Sequence, residues 1–286
     1  MRIRTKSLAT AILAVFAASS ALFAQSGASS SGKPQNHVSV MNAREIVELS
    51  VAATERSWQV RDHYTYMERD DDRRLDSRGL VKSENSAVSK MTLVNGARFE
   101  QIVEHNGHPP SPEELQRSEG DLNKLKNETL AERTVRLDQD EANRSFLRDV
   151  LGAFDFRLIG EEIVEGRPAY VLQATPHPGY RAHGRYAAML SKVEGKLWVD
   201  KQDFGWIRVD GRVTQAFSMG LFVARVQRDS HLILDEMCVG DGVWVPKRVE
   251  VRASLRILFL KGLYIDRIIT YSDYQRPAEG TYSSVE

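Results

Sequence analysis

Apolar and polar residues alternate in two successive runs between Gly195 and Val213. Leu197 and Val199 fall on one side of the first run, Trp198 and Asp200 on the other. In the second, Ile207 and Val209 alternate with Trp206, Arg208 and Asp210. A period of two predicts strands, because successive strand side chains point to opposite faces. Asp200 to Gly205 is the expected turn, and Asp210-Gly211 is read as further turn punctuation. The same alternation sets Val249, Val251, Ala253 and Leu255 against Arg248, Glu250, Arg252 and Ser254, so one face of that strand is expected to be buried and the other wet. Further strands are predicted at about 156–164, 169–174, 223–237, 242–255 and 257–274. Nearer the N-terminus, Tyr64 and Tyr66 share one face of a strand that begins near Arg61, and two more strands follow at about 79–94 and 97–105. The charge run Asp70 to Arg74 reads as a solvated turn or frayed edge.

Helical periodicity is confined to three places. Asn42 and Glu45 form a capping pattern, and Ile46, Leu49 and Ala53 share a face that Val47 widens, predicting a helix to about Trp58. Ser111, Pro112 and Glu114 are a helix start. They open a charged stretch with a thin stripe of Leu115, Leu122 and Leu125, which firms into Phe146, Leu147, Val150 and Leu151, with Gly152 as the expected end cap. Two helices or one broken helix are expected there, the later part packed on the sheet. A short helix is expected at about 185–192, after the loop 177–184.

Turn pairs recur at Asn95-Gly96, Asn106-Gly107, Glu165-Gly166, Asp210-Gly211 and Asp241-Gly242. That spacing argues for antiparallel strands. The expected class is α+β: a large curled antiparallel sheet, an incomplete β-barrel of about ten strands, with helices covering the concave side. Such a sheet encloses an elongated apolar cavity. Its expected lining is Tyr64, Tyr66, Trp198, Trp206, Val249 and Val251.

Residues 1–24 begin with Arg2, Arg4 and Lys6, continue through an apolar run and end on small residues, the pattern of a cleaved signal peptide. Residues 25–41 read as a flexible leader, 42–276 as one domain with a helical insertion near 111–152, and 277–286 as a tail. Removal of the signal peptide leaves 36 basic and 39 acidic residues. This near-balance gives no footprint for nucleic acid. The single Cys238 has no internal disulfide partner and is expected to be a buried, inert thiol. A monomer in the periplasm is expected.

The chemical motifs are sparse. There is no Gly-x-Ser-x-Gly elbow, no P-loop and no His-Glu-x-x-His. His105 and His108, and His177 and His183, lack a recognised ligand spacing, so they are expected to be loop histidines. His231 is expected to face a neighbouring strand in a structural role. Glu161/Glu162 and Asp200/Asp203 are expected on turns and strand ends, unburied. Arg69, Arg98, Arg208, Arg252 and Arg256 are expected on the solvent face, unless one turns inward to hold a carboxylate or phosphate. No catalytic residue, metal or cofactor is predicted.

Several segments resemble a known family. Asn106 to Leu115 (NGHPPSPEEL), Val193 to Asp200 (VEGKLWVD), Trp206 to Asp210 (WIRVD), Trp244 to Lys247 (WVPK) and Tyr271 to Arg276 (YSDYQR) are similar to segments of the LolA/LolB superfamily of outer-membrane lipoprotein-sorting-like proteins. The resemblance spans roughly 42–276, and its motifs are turn and strand signatures. It implies an incomplete barrel lidded by helices and a periplasmic carrier of a lipid or lipoprotein acyl chain. The chain departs from the carriers of that family by its greater length and its charged insertion. An envelope protein is the alternative partner, for a sensor or interaction module whose core is filled by its own side chains.

Overall fold

In the computed structural model the described residues are 41–144, 146–181, 187–219, 224–257 and 262–276. The expected signal peptide, the expected tail and all but the last residue of the expected leader fall outside them, as do His183 and the first part of the helix expected at 185–192. Among the described residues no helix is long and apolar enough to cross a membrane.

Twelve strands form one antiparallel sheet among the described residues: β1 (Thr65–Leu75), β2 (Val81–Val94), β3 (Ala97–His105), β4 (Phe154–Val164), β5 (Arg167–Pro176), β6 (Val193–Asp200), β7 (Trp206–Val213), β8 (Phe217–Met219), β9 (Ala224–Val226), β10 (His231–Cys238), β11 (Trp244–Ile257) and β12 (Leu263–Gln275). Their order is β3-β2-β1-β12-β11-β10-β7-β6-β5-β4, with β9 pairing β8 and β11 off this path. The sheet is large and curled but not closed into a barrel. The first and last strands are neighbours, so the N-terminal three-strand meander is stitched to the rest along β1 and β12. The stretch expected as one strand at 223–237 is two, β9 and β10, because Gln227–Ser230 turns between them, with Ser230 N–H donating to the Gln227 carbonyl at 3.4 Å.

Four of the five turn pairs are hairpin turns in which both residues have positive φ: Asn95-Gly96, Asn106-Gly107, Glu165-Gly166 and Asp241-Gly242. Asp210-Gly211 is not. It lies inside β7, with neither residue at positive φ, paired to β6 on one side and β10 on the other.

The charge run is also corrected. Asp70 to Arg74 is the middle of β1, an interior strand paired to β2 and β12. Asp70 and Asp72 are opposite Ile269 and Arg267, so they share the helix-covered face, and the Asp70 carboxylate accepts from Arg267 Nε at 2.7 Å and Nη2 at 2.5 Å. On the other face Arg69 pairs with Asp71 at 3.0 Å and Arg73 with Glu84 at 2.8 Å. The strand alternates, but with charges on both faces.

Five helices accompany the sheet among the described residues: α1 (Ala43–Arg61), α2 (Pro112–Lys126), α3 (Leu130–Arg144), α4 (Phe146–Ala153) and α5 (Ala187–Leu190). Both expected capping boxes are formed, Asn42 with Glu45 and Ser111 with Glu114. Helix α1 runs to Arg61, three residues past the expected end, and buries Ile46, Val47, Ser50, Val51, Ala53, Thr54, Ser57 and Trp58. Leu49, expected inward, is 43% exposed. The inward stripe is partly Ser and Thr, which hydrophobicity alone does not count. Full burial of Ile46, Val47, Val51 and Trp58 contributes roughly 6–12 kcal/mol as an upper estimate. Gly152 is not an end cap: it lies within α4, which passes directly into β4.

Candidate functional site

The helix-covered face has two chemically different parts. From β4 to β11 and along β12 at Ile265, Ile269 and Tyr271 it is apolar; on β1 it turns polar with Asp70 and Asp72, joined by Arg267 of β12. In the apolar part a cavity of about 110 Å³ separates the sheet from α4 and α5. Val150 of α4 and Met189 and Leu190 of α5 border it on the helix side. Phe154 and Phe156 form a wall on β4, their rings 6.0 Å apart. Leu197, Val209, Val213, Leu232 and Ala253 supply much of the sheet side, and Phe217 and Val226 the end nearest β8 and β9.

A β-bulge decides which tryptophan reaches this space. Trp198 is opposite Arg208 and Val199 opposite Trp206, leaving Ile207 as the extra residue of β7. Trp206 and Val209 therefore share the inner face, while Ile207 joins Trp198 outside. The strict alternation expected for β7 does not hold. Trp206 borders the cavity and donates its Nε1 hydrogen to Ser50 Oγ of α1 at 3.1 Å, which fixes the ring. Trp198 packs on the opposite face with Val171, Ile207 and Trp244, donates to Glu162 at 2.8 Å and is only 9% exposed, too covered for a membrane contact.

Of the other expected lining residues, Val251 borders the cavity. Val249 lies on the same face in the main core, away from the cavity. Tyr66 is there too, with its hydroxyl accepting from Arg98 at 2.9 Å; burial raises its phenol above the usual range. Tyr64 sits apart, in a small cluster with Val243 and Val245. Gly195, Gly211, Leu232 and the helix residues Val150, Met189 and Leu190 were missed by sequence reasoning. Glycine carries no hydrophobic signal, and α5 is too short to show a period.

The polar groups near the cavity do not assemble a nucleophile. Ser230, His231 and Asp210 all touch its border. Ser230 Oγ, however, donates to the Gln227 carbonyl at 2.9 Å and accepts from Ser254 N–H at 3.2 Å. His231 Nε2 instead meets Asp210 on the neighbouring strand at 2.6 Å, as expected of a structural histidine. Hydroxyl and imidazole are thus each bound to other partners. Among the described residues no three His, Cys, Asp or Glu side chains converge as a metal-ligand set. His105 bridges Glu114 at 2.5 Å and Asn85 at 2.7 Å, and His177 meets Asp155 at 2.8 Å.

Two charged groups are buried, and for Asp200 this differs from expectation. Asp200 is 1% exposed, bound by Arg167 at 2.6 Å and by the N–H groups of Gln202 and Asp203. Burial pushes its carboxyl up, but the Arg167 and backbone hydrogen bonds outweigh that and hold it below the usual range. Arg61 and Glu236 form a buried pair at 3.2 Å between α1 and β10. Burial lowers the guanidinium and raises the carboxyl. Arg208 pairs with Asp235 at 2.6 Å and Arg98 reaches Asp62 at 2.7 Å; among the described strand arginines the buried one is Arg267. Cys238 is free and half-buried.

No protein-family model matches the sequence, and no curated protein matches it. The chain is similar to solved structures of the LolA superfamily. One is a LolA superfamily protein from Nitrosomonas europaea, at 12% identity and TM-score 0.29, covering 83% of this chain and 94% of that one. A lipoprotein-sorting protein domain from Vibrio parahaemolyticus gives 10% identity and TM-score 0.30, covering 83% and 95%. A DUF1329 family protein from Desulfovibrio piger gives 14% identity and TM-score 0.29, covering 83% and 94%. Likenesses at these scores say nothing of ligand or partner, so the site's own residues must supply both.

Proposed function

We propose that this is an exported, non-catalytic protein that holds an apolar ligand, the acyl chain of a lipid or lipoprotein, on the concave face of its sheet. The observation that carries the reading is the apolar cavity of about 110 Å³ between α4, α5 and the sheet. Binding is by burial. A palmitoyl chain at ~0.8 kcal/mol per CH₂ gains on the order of 10 kcal/mol before ordering costs. The volume is below the ~300 Å³ at which ligand pockets begin, so the cavity takes part of a chain at most. Admission of the rest requires α4 and α5 to move off the sheet, exchanging their own apolar contacts for those of the ligand.

The small volume also favours a second reading, an envelope sensor or interaction module with a self-filled core. The two are separated by titrating delipidated protein with a fluorescent fatty acid and following Trp206. Saturable uptake that Leu232→Arg abolishes supports the carrier. Absence of uptake, with no shielding of a lipoprotein acyl chain, sinks it and leaves the interaction module.

A further inference from the structure

The cavity contains a position whose residue type the fold does not require. Gly195 and Gly211 are opposite each other on β6 and β7, and Gly211 is also opposite Leu232, which is opposite Val251. This is one inward row across four adjacent strands, and two of its four positions have no side chain. All four border the cavity.

The two glycines have different reasons. A Cβ on Gly195 would stand 2.2 Å from the Asp210 carbonyl oxygen, an impossible contact with backbone. The close approach of β6 and β7 therefore demands glycine there. A Cβ on Gly211 meets only Val193 Cγ1 at 3.5 Å, an ordinary contact, and Gly211 does not have positive φ. Neither backbone nor packing excludes a side chain. Glycine inside a strand also weakens it. A bare, destabilising position at the floor of an apolar cavity is explained by the space it leaves.

We infer that Gly211 is the capacity-determining residue of this site, kept without a side chain so that an unbranched alkyl chain can lie against the strand backbone. The inference rests on the proposed function and deepens it by naming the ligand class: slim, straight-chain alkyl groups rather than branched or ring-fused ones. In an apolar pocket, one methylene more or less changes binding about ten- to two-hundredfold.

The test is a titration of wild type, Gly211→Ala, Gly211→Val and, as a control away from the cavity, Gly160→Ala. Each protein is delipidated and titrated with straight-chain fatty acids from octanoate to palmitate, and its melting temperature is measured without ligand. The expected result is that Gly211→Ala melts at or above wild type yet binds palmitate more weakly. Gly211→Val weakens it about tenfold or more, and Gly160→Ala binds as wild type does. Palmitate affinity unchanged in Gly211→Val overturns the inference. So does a lower melting temperature in Gly211→Ala, which would show that the fold itself requires glycine. Should Gly211→Val fail to fold, the alanine variant carries the test. Wild-type protein that binds no member of the series overturns the proposed function and this inference together, an outcome distinct from binding that position 211 does not affect.

Discussion

Asp200 shows how burial and ionisation coexist at one residue. Its carboxylate is held by a guanidinium and two backbone N–H groups, and these outweigh the desolvation that would favour the neutral acid. Because its folded pKa is depressed below the ordinary aspartate value of about 3.9, its stabilisation is complete above that pH and is lost as pH falls through the folded pKa. Asp200→Asn should therefore be less stable than wild type at neutral pH, by about 1.5–3 kcal/mol, and the gap should narrow below about pH 4. Urea titrations at neutral and acidic pH measure this; a gap independent of pH would exclude the linkage. Sequence reasoning placed Asp200 on a turn but left it unburied, because Arg167, its partner, is 33 residues away. Asp210-Gly211 was misread for a related reason. The dipeptide is a turn signal by composition, but a two-residue type I′ hairpin turn needs positive φ at both residues, and here strands on both sides hold it extended.

At the level of elements, α1 is the best example of a pattern half visible. Its cap was legible because Asn42 and Glu45 interact locally. Its inward face was not, because Ser50, Thr54 and Ser57 count as polar in a hydrophobic pattern yet are buried. Ser50 takes the Trp206 hydrogen, and Ser57 accepts from Trp244 N–H at 3.1 Å. The helix ends on Arg61, whose buried pairing with Glu236 ties it to β10. Arg61→Met alone leaves a buried carboxylate unpaired and should cost roughly 3–5 kcal/mol, whereas Arg61→Met with Glu236→Leu should recover most of it. A single variant no less stable than the double would mean that the pair does not clamp the helix. The bulge in β7 is the other lesson at this level. One inserted residue, Ile207, turns Trp206 inward against the simple alternation, and only pairing with β6 reveals it.

For the whole molecule, the covered face is the organising feature. Its apolar part holds the cavity, and its polar margin on β1 is tied to β12 through Asp70 and Arg267. Ligand binding is therefore expected to protect α4, α5, β6 and β7 from hydrogen exchange and to leave β1–β3 unchanged. Protection spread evenly over the sheet would point to general stabilisation rather than occupancy of this cavity.

Local physics accounts for what could be read along the chain. Caps, four hairpin turns, the antiparallel class and most strand positions depend on residues a few places apart, so α+β with a large curled sheet followed from spacing alone. Three further features depend on pairing between distant segments: the charged β1 in the sheet interior, the inward Trp206, and the bare pair Gly195 and Gly211 at the cavity floor. Strand register sets which face a residue takes, a single bulge reverses it, and glycine leaves no hydrophobic trace of the space it makes. The cavity is bounded by side chains from α4, α5 and strands β4 to β11, which only the assembled sheet brings together.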